Sequence, residues 1–208
     1  MAQEISIEIN PISYPTPSQT ASFVPSPKTV MVNDLVFWRN NDTKYMHQPM
    51  PVGGQPDAWV KDEIPAKLSD ADAPIGGETA TSNTVSFGSG STQQGIPYTC
   101  ALHQDEKGTL VVWNNININN NPGAAASDPQ AKFAPAKPTF QVNELFIWSN
   151  NDAVDHWPAP SLQQKTAWMS QAIQPGQTSQ PISIGQANPG IAYICAIHPN
   201  ETGTIVVQ

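Results

Sequence analysis

Alternating apolar and polar residues near the start of the chain predict a half-buried β-strand. The segment EISIEI, Glu4 to Ile9, places an apolar side chain at every second position, which is the period of a strand. Val30 to Trp38 and Phe140 to Trp148 are rich in β-branched and aromatic residues, and each is broken by Asn-Asp or Asn-Glu, which predicts a hairpin turn. The one helical candidate, Gln163 to Ile173, is short. Short strands separated by turn signals therefore predict an all-β fold built as a β-sandwich.

The same pattern occurs twice along the chain. Ala21 to Asp42 (ASFVPSPKTVMVNDLVFWRNND) aligns without a gap with Ala131 to Asp152 (AKFAPAKPTFQVNELFIWSNND). The closing segment is also repeated, since YTCALHQDEKGTLVV at Tyr98 to Val112 matches YICAIHPNETGTIVV at Tyr193 to Val207. The two closing segments lie closer together in sequence than the two opening ones, so the first copy carries extra residues. The polar segment Lys61 to Ser82 is the best place for them. The sequence therefore predicts a duplicated domain.

The repeat divides the chain into two domains joined by a linker. At 208 residues the chain could form one large domain or two small ones, and the duplication favours two. We place the first domain at residues 1–116, the linker at 117–130 and the second domain at 131–208. The linker prediction depends on Asn114 to Ala131, which is rich in Asn, Ala and Pro and has a strand end at its front.

The charge of the chain disfavours several classes of partner. Nine Lys and Arg residues against 17 Asp and Glu give a net charge of −8, whereas nucleic acids and anionic membrane surfaces bind clustered basic residues. No apolar run approaches the ~20 residues that span a bilayer. The first residues carry Glu4 and Glu8 where a secretory signal needs an uncharged apolar core, so we expect no signal there. We therefore expect neither a nucleic-acid partner nor a membrane span.

Cysteine and histidine are rare and fall at matched positions in the two copies. The chain has two Cys and four His, and each copy has a His after the Asn-Asn-Asp segment and a later Cys-x-x-His. The two sets are His47, Cys100, His103 and His156, Cys195, His198. One thiolate with two imidazoles favours copper, or zinc with a fourth group. Residues that merely fill the core are the common alternative, but that does not explain six matched positions. A disulfide is also disfavoured, because equivalent positions of separate domains need not approach each other.

These segments resemble the cupredoxins, the family of blue copper proteins that includes plastocyanin, azurin and amicyanin. FVPSPKTVMVNDLVFWRNND, residues 23–42, resembles the strands that lead to the family's first His ligand. CAIHPNETG, residues 195–203, resembles the short amicyanin-type ligand loop. The resemblance covers most of both copies. It implies two tandem Greek-key β-sandwich domains with one copper ion in each, and a periplasmic or extracellular protein.

One departure from the family pattern occurs in both copies. Where the family usually has its weak axial Met, this chain has Glu106 and Glu201. A carboxylate ligand is hard and anionic, so it would favour Cu(II), lower the potential and shift the site away from the type 1 blue colour. Red copper proteins of this family resemble that case, although their Glu comes from elsewhere in the chain. Two alternatives stay open. The Glu side chains could face solvent, leaving a three-coordinate or water-open site, or the backbone carbonyl of Met46 or Asp155 could be the axial ligand.

Other repeated residues are expected to have structural roles. Gly108 and Gly203 suit a turn that requires positive φ. Asn41 and Asn151 are expected to hold the ligand loop by hydrogen bonds. Four aromatic residues are expected to pack in the cores: Tyr98, Tyr193, Trp38 and Trp148.

Electron transfer, without enzymatic activity, is the leading interpretation of function. The resemblance implies that the ring edge of His103 or His198 reaches the surface, where a redox partner protein would dock. An apolar rim is expected there, formed by Leu102, Ile197 and Pro199. Oxidases and nitrite reductases built from fused cupredoxin domains need further His ligands, and all four His are already assigned. The alternative function is copper binding, storage or delivery, which would use the same residues.

Overall fold

Strands make up the regular secondary structure of the part of the chain that the structure describes. The computed structural model describes residues 2–55, 57–68, 80–122, 131–160 and 168–208. None of these residues lies in a helix, so the described chain contains no helix that could cross a membrane. In the helical candidate Gln163 to Ile173, residues 168–173 form turns, bends and a bridge instead, and residues 163–167 lie outside the described ranges.

The chain divides into two compact units. The first consists of Met1–Gly88 and Gln94–Val112, and the second of Ser89–Gln93 and Trp113–Gln208. Each unit has its own core of buried apolar residues. Neighbouring strands in the sheets are often not consecutive in sequence, as Greek-key connections require. The predicted all-β class, with two tandem Greek-key β-sandwiches, is therefore confirmed.

Two sheets enclose the core of the first unit. Its strands are β1 (Glu4–Thr16), β2 (Gln19–Val24), β3 (Lys28–Met31), β4 (Leu35–Asn40), β5 (Pro49–Pro51), β6 (Ala80–Thr81), β7 (Ile96–Cys100) and the first part of β8 (Lys107–Asn120). One sheet has the order β2-β1-β4-β6, and in the other β7 pairs with β5 and β8, while β3 pairs with β8. Ile7 and Trp38 from the first sheet pack in one cluster with Tyr98 and Leu110 from the second. The period-2 pattern thus buries one face of each sheet.

The second unit repeats this arrangement. Its strands are the second part of β8, β9 (Ala131–Ala134), β10 (Thr139–Phe140), β11 (Phe146–Asn150), β12 (Pro158–Ala159), β13 (Asn188–Cys195) and β14 (Thr202–Val207). β8 pairs with β9 and β11, and the other sheet has the order β10-β14-β13-β12. In β8, Ile116 lies opposite Trp148, as Ile7 in β1 lies opposite Trp38. The end of β8 is therefore the counterpart of β1 and opens the second copy.

This strand occupies part of the predicted linker. Residues 117–120 belong to β8, and Ile118 is fully buried in the core of the second unit. Residues 123–130 of the predicted linker lie outside the described part of the chain. The boundaries 1–116, 117–130 and 131–208 stay a prediction.

The turn between β3 and β4 does not form a hairpin, so that prediction is wrong. The Asp34 amide donates to the Met31 carbonyl at 3.1 Å, and Asn33 adopts a φ of 70°, a left-handed conformation that Asn tolerates. However, β3 pairs with β8, whereas β4 pairs with β1 and β6. The turn therefore carries the chain from one sheet to the other. Asn143, with a φ of 67°, occupies the equivalent turn of the second unit.

Gly108 and Gly203 are required for space, and the prediction of positive φ is wrong. Both lie in strands, opposite Tyr98 and Tyr193 respectively. A Cβ on Gly108 would lie 2.2 Å from Cζ of Tyr98, and one on Gly203 would lie 2.4 Å from Cζ of Tyr193. The tyrosine rings thus lie flat over the glycines. Both tyrosines are buried as predicted, and so are Trp38 and Trp148.

Most of the extra residues of the first copy lie where the sequence predicts them. Ile64 and Ile173 form equivalent bridges to the first His of their unit. The hydroxyls of Ser82 and Ser179 accept equivalent hydrogen bonds from tryptophan amides. The chain between Ile64 and Ser82 is longer than the chain between Ile173 and Ser179, so the insertion lies within the predicted segment.

Candidate metal centres

In each unit a thiol, two imidazoles and a carboxylate meet at one buried point. The two groups are His47, Cys100, His103, Glu106 and His156, Cys195, His198, Glu201. In each group, one ligand atom from every residue lies within 4.8 Å of the others. The structure thus brings together all eight residues that the sequence singles out.

The closing loop presents three of these side chains to the same point. Cys100 ends β7, and its amide donates to the Glu106 carbonyl at 3.1 Å, while the Glu106 amide donates to the His103 carbonyl at 3.0 Å. Cys195 and Glu201 make the same bond at 2.9 Å. These bonds close a tight loop, so the spacing Cys-x-x-His-x-x-Glu directs the thiol, the ring and the carboxylate inward.

The loop before the first His is held by Asn40 and Asn150. The Asn40 side chain donates to the carbonyl of Tyr45 at 2.9 Å and to that of Pro65 at 2.8 Å, and its oxygen accepts from the Asp42 amide. The side-chain amide of Asn150 donates to the carbonyls of Val154 and Ile173. These contacts fix the position from which the first His of each unit enters its site.

The prediction that Asn41 and Asn151 hold the ligand loop is wrong. The Asn41 side chain donates to Glu8 and Asn10 on β1. The Asn151 side chain donates to two Asn residues of β8 in the same way. Asn41 and Asn151 therefore fasten the end of β4 or β11 to its neighbouring strand, one position beyond the Asn that faces the loop.

The spacing of the donor atoms fits a metal ion. The Cys100 sulfur lies 3.8 Å from Nδ1 of His47 and 3.6 Å from Nδ1 of His103. The Cys195 sulfur makes the same distances, 3.8 Å to His156 and 3.6 Å to His198. A tetrahedral ion with bonds of about 2.3 Å to sulfur and 2.0 Å to nitrogen would separate those atoms by about 3.5 Å. Each sulfur also accepts a backbone N–H, at 3.4 Å in the first unit and 3.3 Å in the second.

The two glutamates face these sites and not the solvent. Glu106 is 1% exposed and Glu201 is 2% exposed, which excludes the solvent-facing alternative. Oε1 of Glu106 accepts three hydrogen bonds of 2.9 Å, from the amide and hydroxyl of Thr20 and the amide of Ala21. Oε2 lies 2.9 Å from Nδ1 of His47. One oxygen is thus anchored to β2, and the other is directed at the donor cluster.

Hydrogen bonds in the sites raise the pKa of both first histidines. Burial alone would lower the pKa of His47, but its bonds to Cys100 and Glu106 outweigh burial and raise the pKa to about 9. His156 is also buried, and its bonds to Cys195 and Glu201, with a further bond to an aspartate, raise its pKa to about 10. Each metal-free site therefore holds a proton near neutral pH.

Because of this proton, the stability of the metal-free protein is expected to fall as the pH rises from about 6.5 towards 10. The pKa of His47 and His156 is higher in the folded chain than the ordinary 6.5. Their contribution to the free energy of unfolding is fully present below 6.5 and is lost as the pH passes about 9 and 10. The check is the melting temperature of metal-free protein across this range. The metal-loaded protein is the control, since there the ion replaces the proton. A flat profile without metal would contradict the expectation.

Both groups fit the ligand set of a tandem cupredoxin, with Glu in the fourth position. The two sites are cupredoxin-like. Sequence reasoning finds their eight residues but misses Asp42 and Asp152, whose carboxylates face Nε2 of the first His in each site. The signal was present, because this Asp ends the repeated Asn-Asn-Asp segment. The backbone-carbonyl alternative, at Met46 or Asp155, stays a prediction.

Comparisons with known proteins return cupredoxin structures. No protein-family model and no curated protein matches the chain. A purple cupredoxin from Nitrosopumilus maritimus is 19% identical, with a TM-score of 0.37, and the match covers 45% of this chain and 98% of that one. A reduced amicyanin variant is 18% identical, with a TM-score of 0.33, covering 45% and 80%. A fern plastocyanin variant is 16% identical, with a TM-score of 0.36, covering 45% and 99%.

The two cupredoxin-like sites differ in how far the second His of each reaches the surface. The His103 side chain is 11% exposed, and the ring of Tyr45 packs edge-on against it with 5.8 Å between ring centroids. The His198 side chain is 33% exposed. Leu102 and Ile197, next to these rings in sequence, are exposed apolar residues.

Proposed function

We propose that the protein is an electron-transfer protein that binds one copper ion in each unit. The observation that carries this proposal is the pair of matched clusters, each with one thiol, two Nδ1 atoms and one carboxylate within 4.8 Å. Nδ1 of both His, the Cys sulfur and the free Glu oxygen would hold the ion. Bound copper would supply one-electron chemistry between Cu(II) and Cu(I). A soft thiolate with imidazoles favours copper over harder metals.

The chain around each cluster suits electron transfer because contacts with the protein hold the donors in place. The first His is pinned by a two-way backbone bridge, at 3.1 and 2.8 Å between His47 and Ile64. Glu106 is anchored through Oε1, and the Cys100 sulfur accepts a backbone N–H. A site that is built in advance needs little reorganisation when an electron arrives. Burial of the ligands also keeps water away from the thiolate.

The proposal includes the cellular setting and the partners. A periplasmic or extracellular location follows from the resemblance to the cupredoxins. The partner would be a redox protein that approaches the ring edge of His198 or His103. The apolar Ile197 beside His198 is 44% exposed and would suit such a contact. Enzymatic activity is not part of the proposal, because the clusters use every His in the chain.

Copper storage or delivery is the alternative function, and one observation favours it. The 33% exposure of the His198 side chain would give an incoming or departing ion a route to the second site. Repeated reduction and oxidation of the loaded protein distinguishes the two functions. An electron-transfer protein keeps its copper through the cycles, whereas a delivery protein releases Cu(I) to a competing chelator.

Replacing the glutamates tests their part in the site. Glu106→Met and Glu201→Met are each expected to shift the visible absorption of the copper-loaded protein and to raise the reduction potential of that unit, because a neutral thioether stabilises Cu(II) less than a carboxylate. Absorption spectra and redox titration measure both effects. Glu63→Met, at an exposed position, is the matched control. An unchanged spectrum in a folded Glu106→Met protein would remove the carboxylate from the coordination sphere.

A further inference from the structure

The loop between the Asn-Asn-Asp segment and the first His is one residue shorter in the second unit. Asp42 precedes His47 by five positions, with the sequence DTKYMH, whereas Asp152 precedes His156 by four, with the sequence DAVDH. Both loops start from an equivalent strand end and finish at an equivalent bridge. The deletion must therefore be absorbed within the loop, between the Asp and the His.

The shorter loop changes the contact made by Nε2 of the first His, the ring nitrogen that points away from the metal site. In the second unit Oδ2 of Asp152 lies 3.0 Å from Nε2 of His156, which is hydrogen-bond distance. In the first unit Oδ2 of Asp42 lies 3.6 Å from Nε2 of His47, which is too far. Nε2 of His47 is buried and finds no hydrogen-bond partner among the described residues.

Asp42 is turned towards its own loop. Its Oδ1 accepts from the amides of Lys44 at 2.8 Å and Tyr45 at 3.2 Å, two bonds that the longer loop makes possible. Oδ1 of Asp152 accepts from the Ala153 amide at 2.7 Å. Among the described residues, the Asp42 carboxylate thus bonds only to its own loop, whereas that of Asp152 bonds both to its loop and to the histidine.

The distances between the donor atoms are matched in the two sites. The sulfur-to-Nδ1 distances are 3.8 and 3.6 Å in both. The contact between Glu and the first His is 2.9 Å in the first unit and 2.8 Å in the second. The N–H bond to sulfur is 3.4 Å and 3.3 Å. Three differences remain: the contact of Nε2 of the first His, the exposure of the second His, and the anchoring of the Glu. Oε1 of Glu106 accepts three bonds of 2.9 Å, whereas Oε1 of Glu201 accepts one of 3.2 Å, from Ala131, among the described residues.

We propose that Asp152 is a positioning residue that makes the reduction potential of the second copper site lower than that of the first. This inference rests on the proposed function of both sites. A carboxylate that accepts the Nε2 proton fixes the ring and makes Nδ1 a stronger donor. A stronger donor stabilises Cu(II) more than Cu(I), so the second site gains an electron less readily. His47 has no such bond to Asp42 and is the weaker donor.

The test measures each site alone in the full chain. Copper-loaded Cys195→Ala retains only the first site, and copper-loaded Cys100→Ala retains only the second. A redox titration at fixed pH, with electrons supplied by an electrode through a small-molecule mediator, follows the loss of the thiolate-to-copper band as Cu(II) gains one electron. The midpoint of the second site is expected to lie below that of the first. Equal midpoints, or the reverse order, would overturn the inference.

Matched aspartate variants test whether the hydrogen bond between Asp152 and His156 causes the difference in reduction potential. In the single-site backgrounds, Asp152→Asn is expected to shift the one-electron equilibrium about tenfold towards Cu(I), a rise of about 59 mV. Asp42→Asn is expected to shift its own site several-fold less. Asp152→Asn should also weaken Cu(II) binding about tenfold in a competition titration, a readout independent of redox. Equal shifts in the two aspartate variants would contradict the role of Asp152.

The exposure of the second His is the competing cause, and Tyr45→Ala isolates it. This variant uncovers His103 and leaves Asp42 in place. If Tyr45→Ala lowers the midpoint potential of the first site to that of the second site, the exposure of the second His sets the difference between the sites. The inference about Asp152 is then wrong. If the parent protein shows no thiolate-to-copper band at all, the proposed function itself fails. The comparison of the two parent sites stands even if an aspartate variant does not fold.

Discussion

Replacing Cys100 or Cys195 with Ala is expected to remove about half of the visible thiolate-to-copper absorption of the loaded protein, and replacing both is expected to abolish it. Each sulfur lies in its own cluster, 3.6 to 3.8 Å from the two imidazole nitrogens of its unit. The chain has no other cysteine, so no second thiolate can take over. An absorption titration with Cu(II) on the parent, the two single variants and the double variant measures the effect.

The fold serves as the control for the cysteine variants. Both cysteines are free and buried, and the change to Ala removes only one heavy atom from each core. The metal-free variants should therefore still unfold cooperatively, with a melting temperature somewhat below that of the parent because the backbone N–H that each sulfur accepts loses its partner. Visible bands in the double variant, or full intensity in a single one, would show that the thiolates are not the copper ligands.

Gly203→Ala is expected to destabilise the second unit by about 3 kcal/mol, the upper range for forcing extra atoms into a packed core. The new Cβ would lie 2.4 Å from Cζ of Tyr193. That ring cannot move aside, because it packs against Phe133 at 4.7 Å and Trp148 at 5.7 Å between ring centroids. Since Tyr193 lies two residues before Cys195 on the same buried face of β13, a displaced ring would also move the thiol.

Gly190→Ala is the matched control for this change. Gly190 lies on the exposed face of β13, and a Cβ there would meet Cγ2 of Thr204 at 3.4 Å, an ordinary contact. Its effect is expected to stay within about 0.5 kcal/mol. Urea unfolding of both variants gives the comparison. Equal stability of the Gly203 and Gly190 variants would show that the tyrosine can give way.

The ligands could be predicted from the sequence because they are rare and repeated. Two Cys and four His divide without remainder into two equivalent sets, and this count does not depend on any long-range contact. The all-β class follows in the same way from short runs with a period of two. The structure adds that Glu106 and Glu201 are buried, which spacing alone leaves open.

The remaining errors concern contacts between distant parts of the chain. A turn at Asn33 has the same local chemistry whether it joins two strands of one sheet or crosses between sheets, so the hairpin could not be distinguished. Gly108 is required because the ring of Tyr98 on the neighbouring strand leaves no room for a side chain, and a local sequence pattern does not reveal that contact. The end of β8, which opens the second copy, is rich in Asn, so its few buried apolar residues, Ile116 and Ile118, give only a weak strand pattern.

The proton that His47 and His156 hold in the metal-free protein acts as a placeholder for the ion. With it, the first His of each unit carries a positive charge 2.9 or 2.8 Å from the Glu carboxylate, so the two groups attract each other. Loading would then exchange one cation, the proton, for another in a sandwich that is already folded. Such a chain could mature in two separate stages, folding first and acquiring its metal later, wherever in the cell the metal is supplied.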